Sequence, residues 1–284
     1  MYPILKARYL APTVKLFLIG APLIARKRQA GNFVMLRIDE TGERIPLTIA
    51  DGDTRAGTIT LIVQAVGKTT KKLCSLEAGD SVLDLVGPLG KPTPIEHSGN
   101  VVCIGGGVGT AELLPIARAL HQAGNRLISI IGGRTEELII LEEELRRCSD
   151  RLFITTDDGS RGRRGLVTDQ LRDILRDRQQ VQAVYAIGPL PMMKAVSDLT
   201  RPSGIRTFVS LNTIMVDGTG MCGGCRLTVN GTMKFACVDG PEFDGHSVDF
   251  DELMMRNRTY LSMEQEADRH YSHECALAER ERPS

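Results

Sequence analysis

The sequence predicts a β plus α/β protein: an antiparallel barrel first, then a parallel-sheet nucleotide-binding domain, then a segment built around cysteines. Three observations carry that prediction. Residues 1–97 hold short apolar stretches punctuated by turn residues at roughly 8–12-residue spacing, the pattern of a small all-β unit. Residues 98–212 alternate apolar strands with helical spacing, which implies a parallel sheet with its ligands at the carboxyl ends of the strands. Residues 213–284 carry Cys222, Cys225 and Cys237, three of the chain's seven cysteines.

The bulk numbers narrow the function classes. A chain of 284 residues is long enough for two separate cores. Its 35 basic residues balance its 35 acidic ones. That argues against a nucleic-acid surface or a polybasic membrane anchor. No apolar run approaches the ~18 residues needed to span a bilayer. The first residues lack a secretory signal, so a cytoplasmic location is expected, with the cysteines serving metal or redox chemistry rather than disulfides.

In the barrel, strands are expected over 14–19, 33–38, 59–66 and 81–86, with turns at 30–32, 40–42, 51–53 and 77–80. No helix of three or more turns is expected before residue 105. Pro46 and Thr48 place a ring and a hydroxyl at a strand end. Gly67, Thr69 and Thr70 follow a strand in company with Lys68, Lys71 and Lys72. Such a turn entering a helix suits an anion, because free amides and the helix dipole both favour phosphate. An ordinary exposed turn with solvated lysines fits the same residues.

The nucleotide domain opens with the strand 100–104. It runs into Gly105, Gly106, Gly107, Gly109 and Thr110, after which apolar residues recur at helical spacing. Glycines between strand and helix let the main chain approach a pyrophosphate. Further strands are expected over 127–131, 151–155, 183–187 and 207–211, and helices over 136–147, 168–178 and 192–199. This ordering gathers Arg134, Asp157, Gly188 and Pro189 along one edge of the sheet. No carboxylate ends the second strand to hold a ribose. Arg134 stands there instead, which suits a 2′-phosphate or a bridging phosphate.

In the last segment, Asp217, Cys222 and Cys225 would read C-x4-C-x2-C if Asp217 were a cysteine, the spacing of a plant-type [2Fe–2S] site. Cys237 can return from the far arm of a hairpin. Zinc usually brings two CxxC pairs or a CxxC with histidine, and only one CxxC exists here. The reading is three thiolates and one carboxylate holding iron and sulfur; a zinc-stabilised nucleotide-binding regulatory module is the non-redox alternative. The tail is expected to form short helices on a docking arm, with Met254, Met255 and Met263 as packing residues.

The succession of barrel, nucleotide domain and cysteine segment resembles the ferredoxin–NADP reductase superfamily, in its branch of two-subunit electron-transfer flavoproteins. That resemblance covers nearly the whole chain. It implies FAD held by Ile45, Pro46, Leu47 and Thr48, with Thr48 near the flavin N5 as the catalytic contact. Ile62, Val63, Gln64, Gly67, Thr69 and Thr70 would hold the rest of FAD. Gly105 to Thr110, with Gly188 and Pro189, would hold NAD(H), NADP(H) being the other possibility. Leu47 stands where the branch usually stacks an aromatic, and Ile187 where a cysteine usually precedes the later glycine. Dihydroorotate-type subunits carry four cluster cysteines. Three cysteines with Asp217 resemble the small subunits of bifurcating ferredoxin:NADP oxidoreductases, and sulfide dehydrogenase small subunits are close. The resemblance also implies a heterodimer with a larger subunit that carries another FAD and [4Fe–4S] clusters, and through it an indirect exchange with ferredoxin.

Overall fold

A computed structural model describes residues 1–177 and 180–280, with side chains to residue 273. The first half is a seven-stranded antiparallel sheet. Its strands are β1 (Tyr2–Ala11), β2 (Val14–Gly20), β3 (Phe33–Arg37), β4 (Arg44–Asp53), β5 (Thr58–Gln64), β6 (Ser81–Val82) and β7 (Asp84–Leu89). They run in the order β6-β1-β2-β5-β4-β3-β7. Two short helices, α1 (Pro22–Lys27) and α2 (Lys68–Cys74), close its ends. Both fall below three turns, as expected from the sequence.

One local expectation needs correction, and one strand had no counterpart among the expected ones. The turn expected at 51–53 is the end of β4, and the chain reverses after it. Arg28 holds this strand end, donating to Asp51 Oδ1 at 3.3 Å and to the Gly52 carbonyl at 2.8 Å. The strand β1 lacked a regular alternation because its ten residues are mostly exposed or half-buried.

Lys15 is the exception within the barrel core, since it is 1% exposed. Its ammonium donates to the Cys74 carbonyl at 2.9 Å, the Leu76 carbonyl at 2.8 Å and Glu77 Oε1 at 2.6 Å. It also lies 4.9 Å from the Tyr9 ring centre. One side chain thus fixes the carboxyl end of α2, which bears Thr69 and Thr70 at its other end. Lys15→Ala should lower the unfolding free energy by about 3 kcal/mol, because it strands the buried Cys74 carbonyl and the half-buried Leu76 carbonyl. A urea melt of the two proteins measures this.

The second sheet comprises β8 (Asn100–Gly106), β9 (Arg126–Gly133), β10 (Arg151–Thr156), β11 (Arg163–Arg164), β12 (Ala183–Ile187) and β13 (Arg206–Ser210). Its helices are α3 (Gly109–Gln122), α4 (Glu142–Arg146), α5 (Val167–Arg176) and α6 (Leu190–Thr200). The order β11-β10-β9-β8-β12-β13 reverses direction on either side of β8. That reversal puts a crevice at the carboxyl end of β8, where α/β sheets bind ligands. The single helix expected over 136–147 is instead a short 3-10 turn and α4, separated by Leu141 at φ 58. A left-handed leucine cannot continue a helix. Arg178, the expected end of the fifth helix, lies outside the described residues.

The last segment forms a hairpin, β14 (Arg226–Val229) and β15 (Thr232–Phe235), followed by the single turn α7 (Ala236–Asp239). Next, β16 (Glu242–Asp244) joins the edge of the second sheet beside β13. The chain ends in α8 (Phe250–Asn257) and α9 (Leu261–Arg280). With twenty residues, α9 is longer than the short helices expected, because glutamate, arginine and alanine favour helix even without an apolar face. Met254 packs against the core, whereas Met255 and Met263 are exposed, contrary to expectation. Lys71 on α2 pairs with Asp268 on α9 at 2.7 Å.

One apolar core unites all three parts. Phe33 and Met35 from β3, Ile104 and Val184 from the second sheet, and Met215, Cys225 and Cys237 from the last segment belong to the same buried cluster.

Candidate functional site

A cleft of about 300 Å³ opens between β4 and β5 on one side and α3 with the end of β13 on the other. Pro46, Leu47 and Thr48 form one wall, and Ile62, Val63, Gln64 and Thr70 extend it. The pairing of β3 with β4 sets Phe33 opposite Thr48, so this aromatic also reaches the cleft. Ile45 packs instead with the barrel core, and Gly67 and Thr69 lie outside the lining. The Thr69 hydroxyl donates to Glu43 Oε2 at 2.5 Å. Thr70 braces the turn before α2, accepting from the Val66 and Gly67 amides at 3.0 and 3.1 Å.

Glu112, Ser210, Thr213 and Met215 are among the lining residues that escaped the sequence reading. The signal for Glu112 was its place in the helix just after the glycine turn. A carboxylate there is unfavourable for a phosphate and asks for another role. Burial pushes the Glu112 carboxyl up to about 7, with Glu242 adding to the rise, while bonds from the Thr48 and Ser210 hydroxyls oppose it. Thr213 Oγ1 is buried with no hydrogen-bond partner. Apolar walls with one unsatisfied hydroxyl fit a planar ring bearing polar edges, as a flavin does.

The glycine loop ends β8 at the switch point. A Cβ on Gly109 would lie 2.5 Å from the Ile187 carbonyl oxygen and 2.8 Å from the Gly188 Cα. The N-terminus of α3 therefore presses directly on the end of β12, which brings Gly109, Gly188 and Pro189 together. The Gly107 amide donates to the Gly132 carbonyl at 2.8 Å, tying this loop to β9. Across the mouth, the Asp157 amide donates to the Gly133 carbonyl at 3.1 Å, so Asp157 and Arg134 share that edge. Arg134 is exposed, and the neighbouring Arg161 is occupied by Glu136 and Glu142 at 2.7 Å each.

The cysteine site is half assembled. Cys225 Sγ lies 3.2 Å from Cys237 Sγ, and both residues are buried. Cys222 is exposed, and its sulfur accepts from the Gly224 amide at 3.4 Å. The Asp217 carboxylate accepts from the Thr219 amide at 2.7 Å and from the Cys222 amide at 2.8 Å, and those bonds hold its pKa below the usual carboxylate range. Among the described residues, no three Cys, His, Asp or Glu side chains converge with metal-ligand spacing. The electrostatics still fit a cation. Burial pushes the Cys237 thiol up to about 12, and the Cys225 sulfur and the Asp217 carboxylate push the same way. Acidic groups crowded without a counter-charge are what a bound metal centre relieves. Gly218 allows the close fit of this loop on the barrel: its φ is +77, and a Cβ there would meet Met35 Cγ at 2.6 Å.

Together, fold and site define a reductase in which a flavin cleft adjoins a nicotinamide crevice and a cysteine segment. Residues 212–249 match the iron–sulfur cluster binding domain of dihydroorotate dehydrogenase B, and residues 103–198 match the oxidoreductase NAD-binding domain. A homologue of the dihydroorotate dehydrogenase B electron transfer subunit from Thermotoga maritima is 48% identical over 261 residues, 92% of each chain. The corresponding subunit from Geobacillus thermodenitrificans is 32% identical, over 79% of this chain and 88% of that one. A solved structure of an NADH-dependent reduced ferredoxin-NADP oxidoreductase, studied for flavin-based electron bifurcation, superposes with a TM-score of 0.91 at 45% identity, covering 95% of this chain and 98% of that one. The chain belongs to the family of dihydroorotate dehydrogenase B-type electron-transfer subunits, within the ferredoxin–NADP reductase superfamily. It is an NAD(P)H-dependent oxidoreductase subunit whose cofactors are FAD, a [2Fe–2S] cluster and NAD(H). Among the described residues, no helix is long and apolar enough to cross a membrane.

Proposed function

We propose that the chain takes a hydride from NAD(H) at FAD and passes electrons singly through a [2Fe–2S] cluster to a larger subunit. That subunit would carry another FAD and [4Fe–4S] clusters, within a cytoplasmic, electron-bifurcating ferredoxin:NADP oxidoreductase. The observation that carries this reading is continuity. The stretch Ser210 to Met215 lines the flavin cleft, and Asp217 follows Met215 by two residues. One short piece of chain thus touches both cofactor positions, which keeps the path for electrons short.

When bound, FAD accepts the hydride pair and releases electrons one at a time. The protein does the rest. Pro46, Leu47 and Thr48 position the ring, with Thr48 as the catalytic contact at N5. The glycine loop and Gly188 would hold the nicotinamide nucleotide beside that cleft, with Arg134 and Asp157 as its further contacts. Cys222, Cys225 and Cys237 hold the cluster, with Asp217 as the fourth ligand. The units 1–97, 98–212 and 213–284 correspond to these three tasks. The grouping of β1 to β7 and of β8 to β13 into two sheets supports that division, although β16 crosses the second border.

Anaerobically purified protein should show flavin absorption that NADH bleaches and a [2Fe–2S] signal in electron paramagnetic resonance after reduction. A protein with neither would instead be the zinc-stabilised module. A second reading, the electron-transfer subunit of dihydroorotate dehydrogenase, is favoured by the relatives' names, whereas Asp217 in a cysteine's place counts against it. Co-purification decides between them, by whether the partner carries [4Fe–4S] clusters or oxidises dihydroorotate.

A further inference from the structure

A hydride delivers two electrons together with one hydrogen. A [2Fe–2S] cluster removes electrons only, one at a time. When both electrons have left, the hydrogen placed on the flavin remains as a proton, the N5–H bond breaks, and a base must take that proton. Written in full, reduced flavin carrying the hydride gives oxidised flavin, two electrons to the cluster and one proton. Nothing in the hydride step itself supplies the acceptor.

We propose that Glu112 is that acceptor, reached from the flavin N5 through the Thr48 hydroxyl. The inference rests on the flavin reading above and goes beyond it by assigning the proton. Glu112 lines the cleft from α3, together with Thr48 on β4 and Ser210 on β13, whose hydroxyls favour its ionised form. Thr48 thus shares the cleft with a carboxyl group. With FAD bound, the Thr48 oxygen would take the N5 proton as the Thr48 proton went to Glu112, so the hydroxyl would end as it began.

The charge that reaches Glu112 from another element is Glu242 on β16, which pairs with Ser210 across the sheet edge. Glu242 is itself held near neutral: burial pushes it up to about 7, opposed by the Thr93 hydroxyl that donates to Oε1 at 2.5 Å. Its Oε2 is buried without a partner. Glu242 faces the Cys103 thiol on β8 and the Tyr185 hydroxyl on β12, both raised largely by burial and therefore uncharged at neutral pH. Asp51 and Arg118, the charged pair between β4 and α3, neutralise each other at 2.6 Å. Glu112 can therefore change charge near neutral pH, with one like-charged neighbour that makes it a stronger base.

The sign of the pH dependence follows. Only ionised Glu112 can accept, so electron passage rises with pH through about 7 and levels off above it. The test uses the purified complex, reduced with NADH in a stopped flow and followed at the flavin and cluster bands on both sides of that pH. In Glu112→Gln, passage from flavin to cluster should slow by about 100-fold at high pH and become independent of pH, while NADH still bleaches the flavin. Glu112→Asp should restore the pH dependence, which separates proton transfer from a folding defect. Glu242→Gln should move the midpoint to lower pH by removing the like charge. An independent readout is infrared difference spectroscopy of the single chain: Glu112 and Glu242 both contribute carboxylic acid absorption that titrates near 7, so Glu112→Gln and Glu242→Gln should each remove one part of it, and only Glu242 absorption should remain in Glu112→Gln. If Glu112→Gln bleaches with NADH and then passes electrons with the native rate and pH profile, the inference is overturned and the flavin reading stands. A complex whose flavin NADH does not bleach overturns both.

Discussion

Gly109→Ala is expected to lower kcat/KM for NADH by more than about 100-fold while FAD absorption is retained. The reason is the backbone it touches. A methyl at this position would sit 2.5 Å from the Ile187 carbonyl oxygen and 2.8 Å from both the Ile187 carbonyl carbon and the Gly188 Cα. Side chains can rotate away from such a clash, but strand β12 cannot. The start of α3 must therefore shift by a sizeable fraction of an ångström. That start is where the nicotinamide nucleotide is proposed to rest and where Ala111 and Glu112 meet the cleft. The donor and acceptor for the hydride lose their alignment together. Overpacking of this kind also costs about 1–3 kcal/mol of stability. Stopped-flow bleaching of the flavin by NADH, set beside a thermal melt, measures both effects. Near-native bleaching in a stable variant would show that the crevice at β8 is not where the nucleotide binds.

Cys225→Ser is expected to remove the reducible cluster signal, leaving a flavin that NADH still bleaches. Cys225 is 1% exposed and lies 3.2 Å from Cys237 Sγ, so the substitution keeps volume while removing the soft ligand. Serine is hydrogen-bonding and hard, which neither the apolar surroundings nor iron–sulfur chemistry favours. Electron paramagnetic resonance of the reduced protein reads the loss directly. Asp217→Cys is the companion variant. It should keep the cluster and shift its potential, because thiolate donates more charge to iron than carboxylate does. It also removes the bonds to the Thr219 and Cys222 amides, so a change in cluster occupancy would report on the loop and a change in potential on the ligand.

The fold was largely legible because its two halves obey different periods. Short apolar stretches between turn residues marked β2, β3 and β5, and a continuous apolar run ending in glycines marked β8 with α3 behind it. The failures have local causes. Residues 51–53 carry turn residues, yet Arg28 pins them at the end of β4, a contact from another part of the chain. Residues 136–147 have helical composition, but Leu141 adopts a left-handed conformation that splits them. The exposed Met255 and Met263 show that apolar character alone does not place a side chain in the core.

The site divides in the same way. Sequence by itself determined the chemistry on offer: one CxxC with a later cysteine and an aspartate, a glycine loop between strand and helix, and a Pro-Leu-Thr strand end. These are local patterns, legible because ligand type and backbone freedom belong to individual residues. Only the tertiary structure decided which residues meet. Glu112 becomes a neighbour of Thr48 and Ser210 because α3, β4 and β13 pack around one cleft, and it is joined electrostatically to Glu242, 130 positions later in the chain. Their altered acidity arises from shared burial and mutual charge, which depend on distance through space and have no counterpart in spacing along the sequence.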